Sequence, residues 1–94
     1  MGLTVRNDEA RSRYELVEDD AALGFAEYRV QGNAVVFHHT VIDRERRGHG
    51  LGAVLVQAAL DDVRTTHRTV VPVCWYVERF IDTHSGYADL LADV

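Results

Sequence analysis

The chain has 94 residues, of which 47% are hydrophobic and 27% charged, and its formal net charge is −5. This composition is typical of one small globular domain and excludes a disordered chain. The negative charge argues against nucleic-acid binding, and no apolar run approaches the ~20 residues of a membrane-spanning helix. A single cysteine cannot form an internal disulfide. We therefore expect residues 1–94 to form one cytoplasmic domain that binds neither nucleic acid nor membrane.

The first third of the chain predicts antiparallel strands. Residues 1–10 carry a short apolar segment and predict an edge strand or a loose end. Residues 13–18 and 23–30 alternate polar and apolar side chains, as half-exposed strands do, with Gly24 as a possible bulge. The sequence Gln31-Gly32-Asn33 then predicts a turn, so the strand after it should form a hairpin with the strand before it.

The rest of the chain predicts a strand, a helix, a second strand and a second helix. Residues 35–42 are rich in β-branched side chains, and residues 51–66 have the length and composition of a helix. Residues 69–74 predict the second strand, and residues 75–82 the second helix. A right-handed crossover should leave the two strands parallel. The predicted fold class is therefore α/β, or mixed α+β, with hairpin strands followed by a βαβα unit on a central mixed sheet.

The loop that begins the first helix is basic and rich in glycine, which indicates an anion site. The first N–H groups of a helix are unpaired and lie at the positive end of its dipole, so they attract phosphate. Glycines allow the backbone to approach an anion closely, and arginines donate charge-assisted hydrogen bonds. The alternative is an ordinary loop with solvated arginines. The candidate residues are Arg44, Arg46, Arg47, Gly48, His49, Gly50, Leu51 and Gly52.

Two other phosphate-binding loops do not fit this sequence. A P-loop needs a lysine that reaches the phosphates, and the chain contains no lysine. The dinucleotide pattern needs a third glycine two positions after Gly52 and an acidic residue at the end of the next strand. That predicted strand ends in Cys74 instead. A P-loop is therefore excluded, and a Rossmann site is disfavoured.

Arg47-Gly48-His49-Gly50-Leu51-Gly52 matches the acyl-CoA pattern Arg/Gln-x-x-Gly-x-Gly/Ala, and here the chain resembles the GNAT acetyltransferases. Three further segments are similar to the YjdJ-like branch of very short GNAT proteins, so that the resemblance covers residues 12–91. They are His39-Thr40-Val41, Pro72-Val73-Cys74-Trp75-Tyr76-Val77 and His84-Ser85-Gly86-Tyr87-Ala88-Asp89-Leu90. Trp75 stands where that branch often has proline, and Ser85-Gly86 where it usually has Pro-Glu.

The resemblance implies a GNAT-like fold and an acetyl-CoA-dependent N-acetyltransferase, with acetyl-CoA as co-substrate and no metal. It implies that backbone N–H groups from Arg47 to Gly52 hold the diphosphate. Main-chain groups around Val41 and Ile42 would hold the pantetheine arm between the two parallel strands. The acceptor would be an amine on a small molecule or protein, and we expect a monomer or weak homodimer. The alternative is a non-catalytic acyl-CoA-binding module, because the chain is too short for the elements that build the acceptor side in typical members.

The catalytic candidates are Cys74 and His39, each with a structural alternative. Cys74 precedes a predicted helix, whose positive end favours a thiolate nucleophile, but a lone cysteine is equally well a small core residue. His39 belongs to the matching His-Thr pair and is the candidate base or orienting partner, unless it is a hydrogen-bonded core histidine. His38 should point to the opposite face of the strand, which disfavours a zinc site. Tyr76 and Tyr87 could protonate a departing thiolate or belong to the core.

Overall fold

The computed structural model describes residues 2–46, 48 and 50–92, without the side chain of Arg46. In this part of the chain the strands and α-helices are β1 (Leu3–Asp8), β2 (Arg13–Glu18), β3 (Ala21–Gln31), β4 (Ala34–Ile42), α1 (Leu51–Thr65), β5 (Thr69–Pro72) and α2 (Trp75–Thr83). Short 3-10 helices span Arg44–Arg46 and Ser85–Leu90. None of the described helices combines the length and apolarity needed to cross a membrane.

The five strands form one mixed sheet in the order β1-β2-β3-β4-β5. The first four strands are antiparallel to their neighbours, whereas β4 and β5 are parallel. The predicted hairpin is confirmed, since Gln31 pairs with Ala34 across a turn in which Gly32 has a φ of 60°. The amino-terminal segment was predicted to be either an edge strand or a loose end, and it forms an edge strand. The predicted mixed fold class is therefore confirmed.

Two bulges interrupt the antiparallel ladders. Leu16 pairs with Gly24 but Val17 pairs with Ala22, so the extra residue on β3 lies next to the glycine that predicted a bulge. The second bulge was not predicted. Glu27 pairs with His39 but Tyr28 pairs with Phe37, which leaves His38 as an extra residue on β4. Such a bulge bends its strand and increases the local twist.

β4 and β5 part immediately at this second bulge. Their parallel pairing joins residues 34–37 to residues 69–72, and the last link is the N–H of Cys74, which donates to the carbonyl oxygen of Phe37 at 2.8 Å. Beyond Phe37, β4 continues to Ile42 with no pairing to β5. We call the resulting space the β4–β5 gap, bounded on one side by residues 38–42.

The prediction that β5 extends to Cys74 is wrong, because the strand ends at Pro72. Proline has no N–H to contribute to a ladder. The N–H of Val73 turns back to the carbonyl oxygen of Val71 at 3.2 Å, and the Val73 side chain is 61% exposed. Cys74 is consequently the residue that caps α2, with a φ of −70° and a ψ of 126°.

Both helices pack on the same face of the sheet. The buried side of α1 meets Tyr14, Leu16 and Phe37 in one core, and the buried residues of α2 join that core. These are Val77, Phe80 and Ile81. The opposite face carries Glu15, Phe25 and His39, and no helix of the described chain covers it. We call it the open face.

Hydrogen bonds between polar side chains fix the helices to the sheet and to the chain end. The Tyr14 hydroxyl on β2 donates to Asp62 Oδ2 on α1 at 2.7 Å. Burial, followed by this bond to Asp62, raises the pKa of Tyr14 well above its usual value, so the phenol remains a donor at neutral pH. Near the carboxyl end, the Tyr87 hydroxyl donates to Asp61 Oδ1 at 2.7 Å, and Arg64 pairs with Asp89 at 2.7 Å. These contacts hold the second 3-10 helix, which was not predicted, against α1.

Candidate active site

A cavity of about 600 Å³ lies in the β4–β5 gap, a volume within the range of small-molecule sites. It is bordered by the end of β4, the first turn of α1 and the first turn of α2. Its lining residues are His39, Thr40, Val41, Ile42, Gly48, Gly50, Leu51, Gly52, Trp75 and Tyr76. Six of the predicted cofactor-binding residues and one of the two catalytic candidates therefore border a single space.

The cavity extends through the thickness of the sheet. Directly paired strand residues share a face of the sheet, and successive residues alternate between faces. Thr40 pairs with Ala26, a core residue, so Thr40 lies on the helix side. Val41 pairs with Phe25 on the open face. Residues from both faces of β4 therefore line the cavity.

The backbone of Thr40 faces the gap. The N–H of Asp43 donates to the carbonyl oxygen of Leu23 at 2.6 Å, which aims the backbone of Asp43 at β3. Antiparallel ladders alternate, so Val41 also directs its amide and carbonyl to β3, whereas Thr40 directs them to the gap. Thr40, Val41 and Ile42 all line the cavity, and the main-chain contact with the pantetheine arm around Val41 and Ile42 stays a prediction.

The first turn of α1 supplies an uncapped helix start to the same cavity. Gly50 occupies the N-cap position with a φ of 73°, and no described side chain caps the helix. Gly48 has a φ of 87°. Both values lie in the left-handed region that glycine tolerates best. The unpaired N–H groups that open a helix carry the positive end of its dipole, so the cavity has a positive potential at this end.

Among the predicted basic residues of this loop, Arg44 is the one whose side chain the structure describes. Arg44 lies in the 3-10 turn before the helix, is exposed, and does not line the cavity. Arg46 belongs to the same turn, but its side chain lies outside the described part of the structure. Arg47 and His49 also lie outside the described residues. Phosphate contacts by these four side chains stay predictions.

Gly52 allows α1 and α2 to approach each other beside the cavity. A β-carbon at this position would lie 2.7 Å from Cζ of Tyr76 and closer still to its hydroxyl. The absence of a side chain at Gly52 therefore leaves room for the Tyr76 ring, whereas Gly48 and Gly50 suit the left-handed backbone conformation. Gly52 thus contributes to the packing of Tyr76, and its predicted role in the close approach of a ligand stays a prediction.

His39 lies on the open face at the mouth of the cavity. Its ring centroid is 6.2 Å from that of Phe25, and its side chain is exposed. The alternative that His39 is a core histidine is wrong, because its side chain is exposed. The neighbouring His38 is the bulged residue, is also exposed, and does not line the cavity.

Cys74 lies one side chain behind the cavity wall. It is 9% exposed, belongs to the core, and its Sγ donates to Oγ1 of Thr40 at 3.5 Å. Thr40 lines the cavity, whereas Cys74 does not. The predicted position at the start of α2 is confirmed. The nucleophilic role of Cys74 stays a prediction.

Trp75 and Thr40 also line the cavity, a position that the sequence did not predict for them. Trp75 is 70% exposed and lies edge-on to Tyr76, with ring centroids 5.7 Å apart. In the sequence, an aromatic pair directly after the strand that ends at this edge of the sheet could have indicated that Trp75 lines the cavity.

Tyr87 bonds to Asp61 and does not line the cavity. Within the described residues, no group of three or more potential metal ligands occurs.

Comparison with known proteins identifies the family. A family model described as GCN5-related N-acetyl-transferase matches residues 13–90. The chain belongs to the GCN5-related N-acetyltransferase (GNAT) family. The resemblance noted from the sequence is thus confirmed at the level of the family, and membership of the YjdJ-like branch stays a prediction. A search of curated proteins gave no match.

Solved GNAT-like structures share the fold. A GCN5-like candidate N-acetyltransferase from Staphylococcus aureus, determined by NMR, is 21% identical with a TM-score of 0.73; the match covers 98% of this chain and 90% of that one. A candidate GNAT acetyltransferase from Desulfovibrio desulfuricans is 23% identical with a TM-score of 0.57, over 64% of this chain and 41% of that one. At these identities the likeness establishes the fold alone.

The contact between Gly52 and Tyr76 makes a testable prediction about this GNAT site. Gly52→Ala should lower the free energy of unfolding by about 1 kcal/mol, because the Tyr76 ring must leave its place. In a Tyr76→Ala background the same change should raise it by about 0.5 kcal/mol, since alanine is the better helix former. Urea unfolding followed by circular dichroism measures both. Equal effects in the two backgrounds would contradict the contact.

Proposed function

We propose that this GNAT protein transfers the acetyl group of acetyl-CoA to the nitrogen of an amine acceptor. One observation carries the proposal: a single cavity joins the uncapped, glycine-rich start of α1 to the gap between two parallel strands. A helix start suits a diphosphate, and an extended gap suits a narrow acyl carrier. Membership of the family supports the same chemistry.

Coenzyme A is proposed to enter from the helix side. Its diphosphate would accept hydrogen bonds from backbone N–H groups at Gly50, Leu51 and Gly52, with charge from Arg44 and the neighbouring arginines. Its pantetheine arm would lie in the β4–β5 gap, against the apolar side chains of Val41 and Ile42. The amide and carbonyl of Thr40 would act as its main-chain partners.

The acceptor is proposed to enter from the open face, where His39 lies at the cavity mouth. His39 would take a proton from the ammonium, and the neutral nitrogen would then attack the thioester carbonyl carbon. A C–N bond forms, the C–S bond breaks, and the electron pair leaves with the coenzyme A thiolate. Backbone N–H groups at the gap would stabilise the oxyanion. The nitrogen, which is positively charged after the attack, would release its excess proton to water, and water or the Tyr76 hydroxyl would protonate the thiolate.

The anion site is tested by a matched pair of substitutions at Gly50. Aspartate and asparagine have the same shape, tolerate the left-handed region better than most residues, and can cap a helix. Gly50→Asp should weaken acetyl-CoA binding about tenfold more than Gly50→Asn, because its carboxylate repels the diphosphate. Isothermal titration calorimetry measures both affinities. Equal affinities of the two variants would place the diphosphate elsewhere.

The role of His39 is tested against its neighbour. His39→Ala should lower kcat by a factor of about 10² or more, the contribution of a positioned base, without changing the affinity for acetyl-CoA. His38→Ala should retain the wild-type rate, because His38 is exposed and does not line the cavity. The measurement is steady-state release of coenzyme A with an amine acceptor. Equal rate losses in both variants would exclude His39 as the base.

A second candidate mechanism passes through an acetyl group on Cys74. It is favoured by the position of the sulfur at the start of α2, beside a residue that lines the cavity. The sulfur would attack the thioester, coenzyme A would leave, and the amine would then take the acetyl group from the sulfur.

Direct transfer predicts that the protein gains no mass when it is incubated with acetyl-CoA and no acceptor, because the sulfur lies behind Thr40. Intact-protein mass spectrometry measures this, with Cys74→Ala as the control. A gain of one acetyl group in the wild type that is absent from Cys74→Ala would establish the covalent route instead.

A non-catalytic acyl-CoA-binding module remains the alternative function, and the bare open face of the described structure favours it. Such a module would bind coenzyme A saturably by calorimetry yet acetylate no member of a broad amine panel. Turnover of any amine by the wild type, lost in His39→Ala, would decide for the enzyme.

A further inference from the structure

Glu27 lies next to His39 on the open face. The two residues are direct partners in the ladder between β3 and β4, so their β-carbons lie about 5 Å apart. The Glu27 side chain is half-buried. No ion pair or hydrogen bond engages its carboxylate within the described part of the chain. A partly buried carboxylate without a partner is unfavourable, which calls for an explanation.

The expected partner of Glu27 is bound to another carboxylate. Arg13 pairs with Glu27 across the β2–β3 ladder, but its Nε donates to Oε2 of Glu15 at 3.1 Å. Its guanidinium also lies over the Phe25 ring, 4.6 Å from the centroid. Glu15 is only 4% exposed and binds Arg6 as well, at 3.0 Å. Glu15 therefore holds both arginines. Glu27 does not line the cavity itself, but its ladder partner His39 does.

We propose that Glu27 binds the ammonium group of the acceptor, which makes the acceptor class amines that are cationic at neutral pH. The inference rests on the proposed transferase function. In this arrangement the ammonium lies between the Glu27 carboxylate and the His39 imidazole. His39 takes one proton, and the neutral nitrogen remains hydrogen-bonded to Glu27 as it attacks the thioester. Trp75 lines the same cavity and supplies an aromatic face for an organic cation.

The test compares two acceptors of similar size. Phenethylamine is a cation at neutral pH, whereas p-toluidine is neutral. Glu27→Gln keeps the shape of the side chain and removes its charge. It should raise KM for phenethylamine about tenfold and leave KM for p-toluidine unchanged. The loss of one hydrogen bond to a charged group weakens binding by about a factor of ten. Glu9→Gln, an exposed position in the β1–β2 turn, is the control of equal charge change.

The outcomes separate this inference from the proposed function. A rise of KM for phenethylamine alone, with wild-type acetyl-CoA affinity, supports the Glu27 contact. Equal changes for both acceptors, or none, overturn it even though the enzyme is active. If the wild type acetylates neither these two amines nor any member of the broad amine panel, the proposed function fails, and NMR titration of the coenzyme A complex with phenethylamine decides the contact. Saturable shifts lost in Glu27→Gln support it, and their absence from the wild type, or persistence in the variant, overturns it.

Discussion

The separation of β4 from β5 after Phe37 is the constraint on which the site depends. Three local features produce it together. His38 bulges out of the ladder, Pro72 offers no N–H, and the N–H of Cys74 ends the pairing on Phe37. A continuous parallel ladder would pair the backbone of Thr40 with β5 and leave no space for a ligand. The gap is therefore a consequence of hydrogen-bond geometry between the two strands.

Both α-helices begin at this gap, and that gives the cavity its electrostatic character. Neither α1 nor α2 has a side-chain cap among the described residues, so both present unpaired N–H groups at their first turns. Gly52 brings the two helix starts together by leaving room for Tyr76. A chain with a net charge of −5 thus presents its positive helix ends to one place. That arrangement favours a bound diphosphate and a departing thiolate.

The parts of this structure that follow from local pattern were predictable from the sequence. β2 and the β3–β4 hairpin follow from alternation and turn chemistry, and α1 follows from periodicity. The His38 bulge was not predictable, because an extra residue is defined only relative to the partner strand. The same holds for Cys74, since Thr40 of β4 lies between its sulfur and the cavity. Both features depend on how neighbouring strands pair and not on the local propensity of a single strand.

The choice of Arg13 between two carboxylates shows how such pairing shapes the acceptor side. From sequence, Glu15 and Glu27 are equivalent strand residues flanked by arginine. The fold buries Glu15, which then needs two arginines, and Arg13 is drawn away from its ladder partner. Under the proposed function, donor and acceptor would approach from opposite faces of one sheet: the anionic donor at the helix starts, and the cationic acceptor at the uncompensated carboxylate. Opposite charges on the two sides of one gap would then direct the two substrates to it without additional structural elements.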